Sequence, residues 1–310
     1  MDVTSTEVVN VAGPLLIGYL LSWGLYGTLS VQVYIYYLAF PNDRLACKIL
    51  VYGVHLIETL QAILVCHDAF ASFVRGFDNF EVLTDMHFVW LTMPVLSGIV
   101  AFFVQLFYAF RVMTLSKSKV LSSFIALLAV TQVTGALVSG IEGIREGNLL
   151  RLTSRLEYVS HGVFDITSGV CDIVIAISMA FYLSRMDSGS VKSTHAIVSK
   201  IIRLVVGTGA LTAAVAITDI SLYYSGTGKP TAWFLPPVIL LGRLYSNSMM
   251  VIFNSRVEIV GGRSRTTTVE LNSGLACFQP SEPSTVVLTN TNRTSGDGHN
   301  VLSDSKRRLG

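Results

Sequence analysis

A glutamate, an aspartate and an arginine, Glu58, Asp172 and Arg243, each stand near the middle of a long apolar stretch. At about 1.5 Å of rise per residue, a helix would carry each of them to the midplane of a bilayer. An ionisable group at that depth is costly, and it marks either a structural pair or a functional site. A guanidinium facing a carboxylate lowers the cost of both, because an unpaired buried charge is far worse than a paired one. His55 lies one turn from Glu58 on the same helical face. Two chemistries are therefore open: a polar lock joining three helices, or a ligand or proton site built from the same groups. The lock is the preferred reading, with Asp172 or Glu58 as the partner of Arg243.

A second set is amide-rich. Asn247 and Asn254 are seven residues apart and so share a face of one helix. With Ser255, with Gln32 in the first apolar stretch and with Arg111 near the end of the third, they gather towards one end of the chain's apolar segments. Amides between membrane helices act as interhelical hydrogen bonds worth roughly 0.6 to 2 kcal/mol each. Helix-to-helix contact is the expected role, ahead of a conformational switch. A third set lies at the opposite end: His67, His87, His161 and Asp165, the last two one turn apart. Histidine and aspartate at similar depth suit a metal ion. None of them shows the HxxxH or HExxH spacing of a helical metal site, so they are weak candidates.

The elements that must position these residues are apparent from composition. The chain has 310 residues, of which 51% are hydrophobic and only 14% charged, and its mean hydropathy is +0.58. A soluble domain carries nearer a quarter charged residues, so the class is a membrane protein. The net charge of +2 gives no reason to expect nucleic acid. Four dispersed cysteines form no disulfide framework. Cys47 sits beside a membrane end as a weak acylation candidate, and Cys66 and Cys171 lie at different depths, against a bridge. The start, MDVTSTEVVN, lacks a basic n-region, so the first apolar stretch is expected to stay in the protein.

Seven stretches reach the length a spanning helix needs: about 12–39, 47–67, 88–111, 120–141, 160–184, 200–224 and 231–253. Their length excludes barrel strands. The fold expected is all-α, a polytopic bundle over 12–256, between a short extracellular start (1–11) and a disordered cytosolic tail (257–310) rich in Ser, Thr, Asn and Gly. Orientation follows the basic residues of the short loops. With the amino terminus outside, the cytosolic flanks carry twelve Lys and Arg (among them Arg44, Lys117, Arg185 and Arg256) against five outside. The sequon Asn292-Arg-Thr would then stay unmodified. Pro236-Pro237 is expected to kink the last helix. Gly18/Ser22, Gly135/Ser139 and Ala210/Ala214 fit close small-residue packing.

Several stretches are similar to a known family: GPLLIGYLLSWGLYGTLSVQVYIYYLAFPNDRLACKILV, VQLFYAFRVMTLSKSK, CDIVIAISMAFYLSR and LYSNSMMVIFNSR. Together they resemble a large fungal, chiefly basidiomycete, family of uncharacterised seven-helix integral membrane proteins. Its carboxyl-terminal half, about 165–256 here, is catalogued only as a domain of unknown function. The likeness covers nearly all of residues 13 to 256 and implies a seven-helix bundle. It supplies no activity and no catalytic residue.

The function expected is therefore that of an integral membrane protein with a receptor-like or sensory bundle. Its partners would be the lipid bilayer, a small amphiphilic ligand and a cytosolic protein, with no cofactor. The rhodopsin-type Asp/Glu-Arg-Tyr and Asn-Pro-x-x-Tyr motifs are absent, so this is an analogy of fold. The alternatives are a transporter of small molecules or lipids and, more weakly, a His/Asp metal-dependent hydrolase.

Overall fold

The computed structural model describes residues 5–76, 79–149, 154–187, 192–226 and 231–256. The polar tail with its sequon, Cys277, Arg151 and Lys229 lie outside the described residues. Helices α1 (Ser5–Ala39), α2 (Leu45–Phe70), α4 (Ser97–Ser116), α5 (Lys119–Glu146), α6 (Arg155–Asp187), α7 (Lys192–Gly226) and α8 (Leu235–Asn254) run up and down in turn. A short α3 (Phe80–Thr84) lies between the second and third of them. Among the described residues, seven helices are long and apolar enough to cross a membrane.

The distribution of polarity is inverted relative to a soluble protein. Large apolar side chains face outward, including Leu20, Leu56, Ile63, Leu127, Ile177 and Ile217, while Glu58, Asp165, Asp219 and Arg243 are fully covered. An exterior this apolar is costly in water and costs nothing in lipid. The last helix is the hub. In its most apolar stretch 83% of residues are buried, against 28–39% in α1, α2, α5, α6 and α7. Because protein rather than lipid surrounds α8, it tolerates the lowest hydropathy of the seven, and this is where the polar residues accumulate.

Prolines shape the helices locally. Pro14 has no N–H to give the carbonyl of Asn10, and that carbonyl accepts the Ala232 N–H instead (3.1 Å), tying α1 to the start of α8. Pro94 falls in a π-helical turn, Leu91–Leu96, that leads into α4. In that turn the Thr92 carbonyl accepts from the Gln61 amide (2.8 Å) and the Ser97 hydroxyl (3.2 Å). Pro236 and Pro237 do not kink a helix as expected. They occupy its first turn, where the missing N–H groups would have had no partner in any case.

Small residues bring backbones together at Gly242, where an added Cβ would stand 2.6 Å from the Ser97 hydroxyl and 3.0 Å from its Cα. Gly18 is equally tight against Ile239. The expected pair Ala210/Ala214 faces outward instead, and Ala213 and Ala216 are the buried small residues of α7. Cys47 also faces inward, fully covered, which removes it as an acylation site. At the amino-terminal face the loop after α5 pairs back onto α3, with Leu149 N–H donating to Thr84 O (2.8 Å) and Met86 N–H to Gly147 O (3.1 Å).

Candidate functional site

Buried polar groups form layers along α8. In the middle layer Arg243 reaches across to α2 and α1. Its Nη1 bonds both the carboxylate and the backbone carbonyl of Glu58 (2.9 Å for the carbonyl), and its Nε donates to Ser22 Oγ (3.1 Å). The guanidinium carbon lies 5.3 Å from the centre of the Tyr26 ring, a cation–π contact. Tyr26 in turn stacks on His55, 5.9 Å between near-parallel rings, and its hydroxyl meets Thr59 Oγ1 (3.0 Å). His55 thus touches Arg243 only through Tyr26. The contact with Glu58 runs through Nη1 alone, to one carboxylate oxygen and the main-chain carbonyl, while Nε is turned to α1.

Asp172 does not join that pair. It lies on α6 facing Tyr245, whose hydroxyl donates to Asp172 Oδ2 (2.8 Å). With that proton committed, the Tyr245 hydroxyl oxygen accepts from Ser168 Oγ (2.6 Å) and Gln105 Nε2 (3.4 Å). Among the described residues, the side-chain hydrogen bonds between α6 and α8 converge on this hydroxyl. A cavity of about 20 Å3 lies beside it, lined by Tyr108, Asp172, Thr208, Thr212, Tyr245 and Ser248. On the scale of water-sized spheres, one water needs about 10–15 Å3, so the space holds a water and not an amphiphile.

Towards the carboxyl-terminal end, α8 is stitched to α1. Asn247 Nδ2 donates to Leu25 O (3.2 Å) and to its own Arg243 O (2.7 Å), and Asn254 Nδ2 donates to Gln32 O (2.8 Å). The two acceptors in α1, like the two donors in α8, are seven residues apart, which is the register two parallel helices share. Among the described residues, Ser255 bonds its own helix, at Ile252 O (2.7 Å). Gln32 takes part through its main-chain carbonyl, and among the described residues its side-chain oxygen has no hydrogen-bond partner. Arg111 is buried on α4, its guanidinium 5.9 Å from the Phe107 ring, and not in the amide ladder.

The ladder ends on a contact that sequence reasoning placed differently. Arg256, counted above among the basic residues of the cytosolic flanks, bonds Asp43 Oδ2 (2.7 Å) and lies 4.2 Å over the Phe40 ring. Tyr36 donates to the same oxygen (2.8 Å) and the Arg44 N–H to the other (3.0 Å). Burial alone would raise the Asp43 pKa. The Arg256 hydrogen bond and charge, with Tyr36 and the Arg44 N–H, outweigh it and hold the carboxyl below its usual range.

At the amino-terminal end the histidines divide into two groups. His67 and His87 lie near one another (6.5 Å between rings), with His67 beside Asp68, whose Oδ1 also accepts the Phe88 N–H (3.2 Å). His161 and Asp165 on α6 instead meet Asp219 on α7, a residue that sequence reasoning missed. Its signal was present: an acid inside the apolar run AAVAITDIS, about two turns from the end of α7, as His161 is from the start of α6. His161 Nε2 lies 3.3 Å from Asp165 Oδ2 and 3.7 Å from Asp219 Oδ1, and one donor atom from each residue falls within 4.8 Å of the others. All three are buried, and neither aspartate makes a hydrogen bond of good geometry. His161 stacks on Tyr223 (4.1 Å between rings) and lines a cavity of about 40 Å3 with Glu157, Ser139 and Trp90.

Fold and site together define a multi-pass integral membrane protein, a seven-helix bundle with its ionisable groups turned inward. Residues 168–258 match a protein-family model described as "Family of unknown function (DUF6534)". This match covers the end of α6, with Ser168 and Asp172, and all of α7 and α8. No curated protein and no solved structure matches the chain.

Proposed function

We propose that the protein is a receptor-like, sensory bundle, with its amino terminus outside and its carboxyl terminus in the cytosol. One observation carries the reading: the interior is hydrogen-bonded unevenly. Helices α1, α2 and α8 are fastened to each other at Arg243, Asn247 and Asn254, and Asp43 with Arg256 closes their end. Helices α6 and α7 carry buried carboxylates with few partners and border both water-sized cavities. Helix α7 packs along α8, and the side-chain hydrogen bonds from α6 to α8 meet at the Tyr245 hydroxyl. A firmly hydrogen-bonded half and a sparsely bonded half, whose side-chain bonds from α6 to α8 meet at one hydroxyl, make a two-state element whose populations a stimulus can shift. The twelve basic residues on the α1–α2, α4–α5, α6–α7 and carboxyl-terminal flanks support the orientation.

A transporter is the second reading, favoured by the file of carboxylates Asp219, Asp165 and Asp172 along the interior of α6 and α7. Vesicles containing the purified protein and a pH-sensitive or zinc-sensitive dye separate the two. The sensory reading expects no proton or zinc flux above that of protein-free vesicles. Flux abolished by Asp172→Asn would make the protein a transporter.

A further inference from the structure

We infer that His161, Asp165 and Asp219 form a binding site for a divalent transition-metal ion, with zinc as the best-matched class. Three observations carry it. The first is charge: two fully buried aspartates face one imidazole, and among the described residues no lysine or arginine pairs with either. Two ionised carboxylates in a dry interior need a compensating cation, and a divalent ion supplies it in one step. The second is geometry. Around a zinc ion bonded at about 2.0–2.2 Å, tetrahedral donors stand about 3.4 Å from one another. The two imidazole-to-carboxylate distances, 3.3 and 3.7 Å, bracket that edge.

The third observation lies outside the triad. Glu157, one turn before His161, is buried and lines the cavity that His161 borders. Its Oε1 accepts from Ser139 (2.8 Å), while its Oε2 has no hydrogen-bond partner. The cavity has room for about three waters on the scale of 10–15 Å3 each. One imidazole nitrogen, two carboxylates and adjacent water make up the three-protein-ligand pattern that leaves one position to solvent. Imidazole favours zinc, copper, iron or nickel over calcium and magnesium, which take oxygen alone. His67 and His87 take no part. The site stands independently of the sensory reading, since it requires only the fold of α6 and α7.

The test uses the full chain in detergent micelles, exposed to zinc and passed through metal-free buffer before elemental analysis. The site predicts about one zinc per chain. Each of His161→Gln, Asp165→Asn and Asp219→Asn is expected to retain less than about a tenth of that, while the double variant His67→Gln/His87→Gln retains it all. A second measurement needs no variant. Cobalt added to the wild-type protein gives the visible band of a four-coordinate ion, and one equivalent of zinc abolishes it. A wild-type protein that elutes metal-free and gives no cobalt band overturns the site, and leaves the two carboxyls sharing a proton. So does zinc that survives Asp219→Asn but is lost with His67 and His87.

Discussion

At the scale of single residues, the account turns on which buried charges have partners. Arg243 and Glu58 are both fully covered, so removing either leaves the other uncompensated. Arg243→Met is expected to cost about 3–5 kcal/mol, and the double change Arg243→Met/Glu58→Leu to recover most of it. Thermal unfolding of the wild type, Arg243→Met, Glu58→Leu and the double variant in micelles measures this, and additive losses would contradict the pairing. Asp43 gives a pH dependence of definite sign. Its pKa is depressed in the folded protein, so the stability that it contributes is fully present above its unfolded value of about 3.9 and is lost as pH falls through the folded one. Between pH 7 and pH 3 the melting temperature of the wild type should fall more steeply than that of Asp43→Asn. Parallel curves would mean the Arg256 contact is idle. Much at this scale was legible in the sequence. A charge among twenty apolar residues is conspicuous, and Arg243, Glu58 and Asp172 could be picked by depth alone. Their partners were harder to read. Tyr245 counts as apolar in any composition, so the hydroxyl that takes Asp172 is invisible until α6 and α8 are placed side by side. Asp219 was equally conspicuous by type and simply went unread.

At the scale of helices, packing is set by register. Asn247 and Asn254 reach carbonyls seven residues apart on α1 because first and seventh spans run the same way, and both amides lie on one stripe of α8. Asn247→Ala and Asn254→Ala should each cost about 0.6 kcal/mol and at most about 1.7, the range of measured membrane hydrogen bonds. A larger effect is expected at Gly242, where a methyl group has no room beside Ser97. Gly242→Ala should destabilise by about 1–3 kcal/mol, whereas Gly24→Ala and Gly53→Ala, with nothing within 4 Å, should not. Equal melting temperatures for the three would refute the close approach of α4 and α8. The seven-residue spacing could be read from sequence, but its acceptors could not, because a backbone carbonyl has no letter. The kink expected at Pro236-Pro237 failed for a similar reason: hydropathy marks where a span is apolar, and not which residue begins the helix. The stretch from residue 231 was apolar enough to count, yet α8 starts at Leu235, and the prolines belong to its first turn.

At the scale of the molecule, seven apolar stretches separated by clear polar breaks made the class legible without coordinates. What composition cannot show is that the last span is enclosed by the others, since a helix sheltered by protein and one facing lipid pass the same hydropathy threshold. That enclosure places the α1–α2–α8 unit and the α6–α7 pair on either side of Tyr245, and the sensory reading depends on their relative motion. Its direct test is the distance distribution between spin labels, by double electron–electron resonance in nanodiscs. One pair joins Tyr37 of α1 to Phe181 of α6, both exposed, and the control pair joins Tyr37 to Leu56 of α2. Cys66 and Cys277 are replaced by serine. Tyr245→Phe removes the hydroxyl at which the side-chain hydrogen bonds between α6 and α8 meet. The account predicts that this change shifts or splits the α1–α6 distribution and leaves α1–α2 as it was. An α1–α6 distribution that is single and unmoved by Tyr245→Phe would contradict it, and the bundle would then be a rigid scaffold.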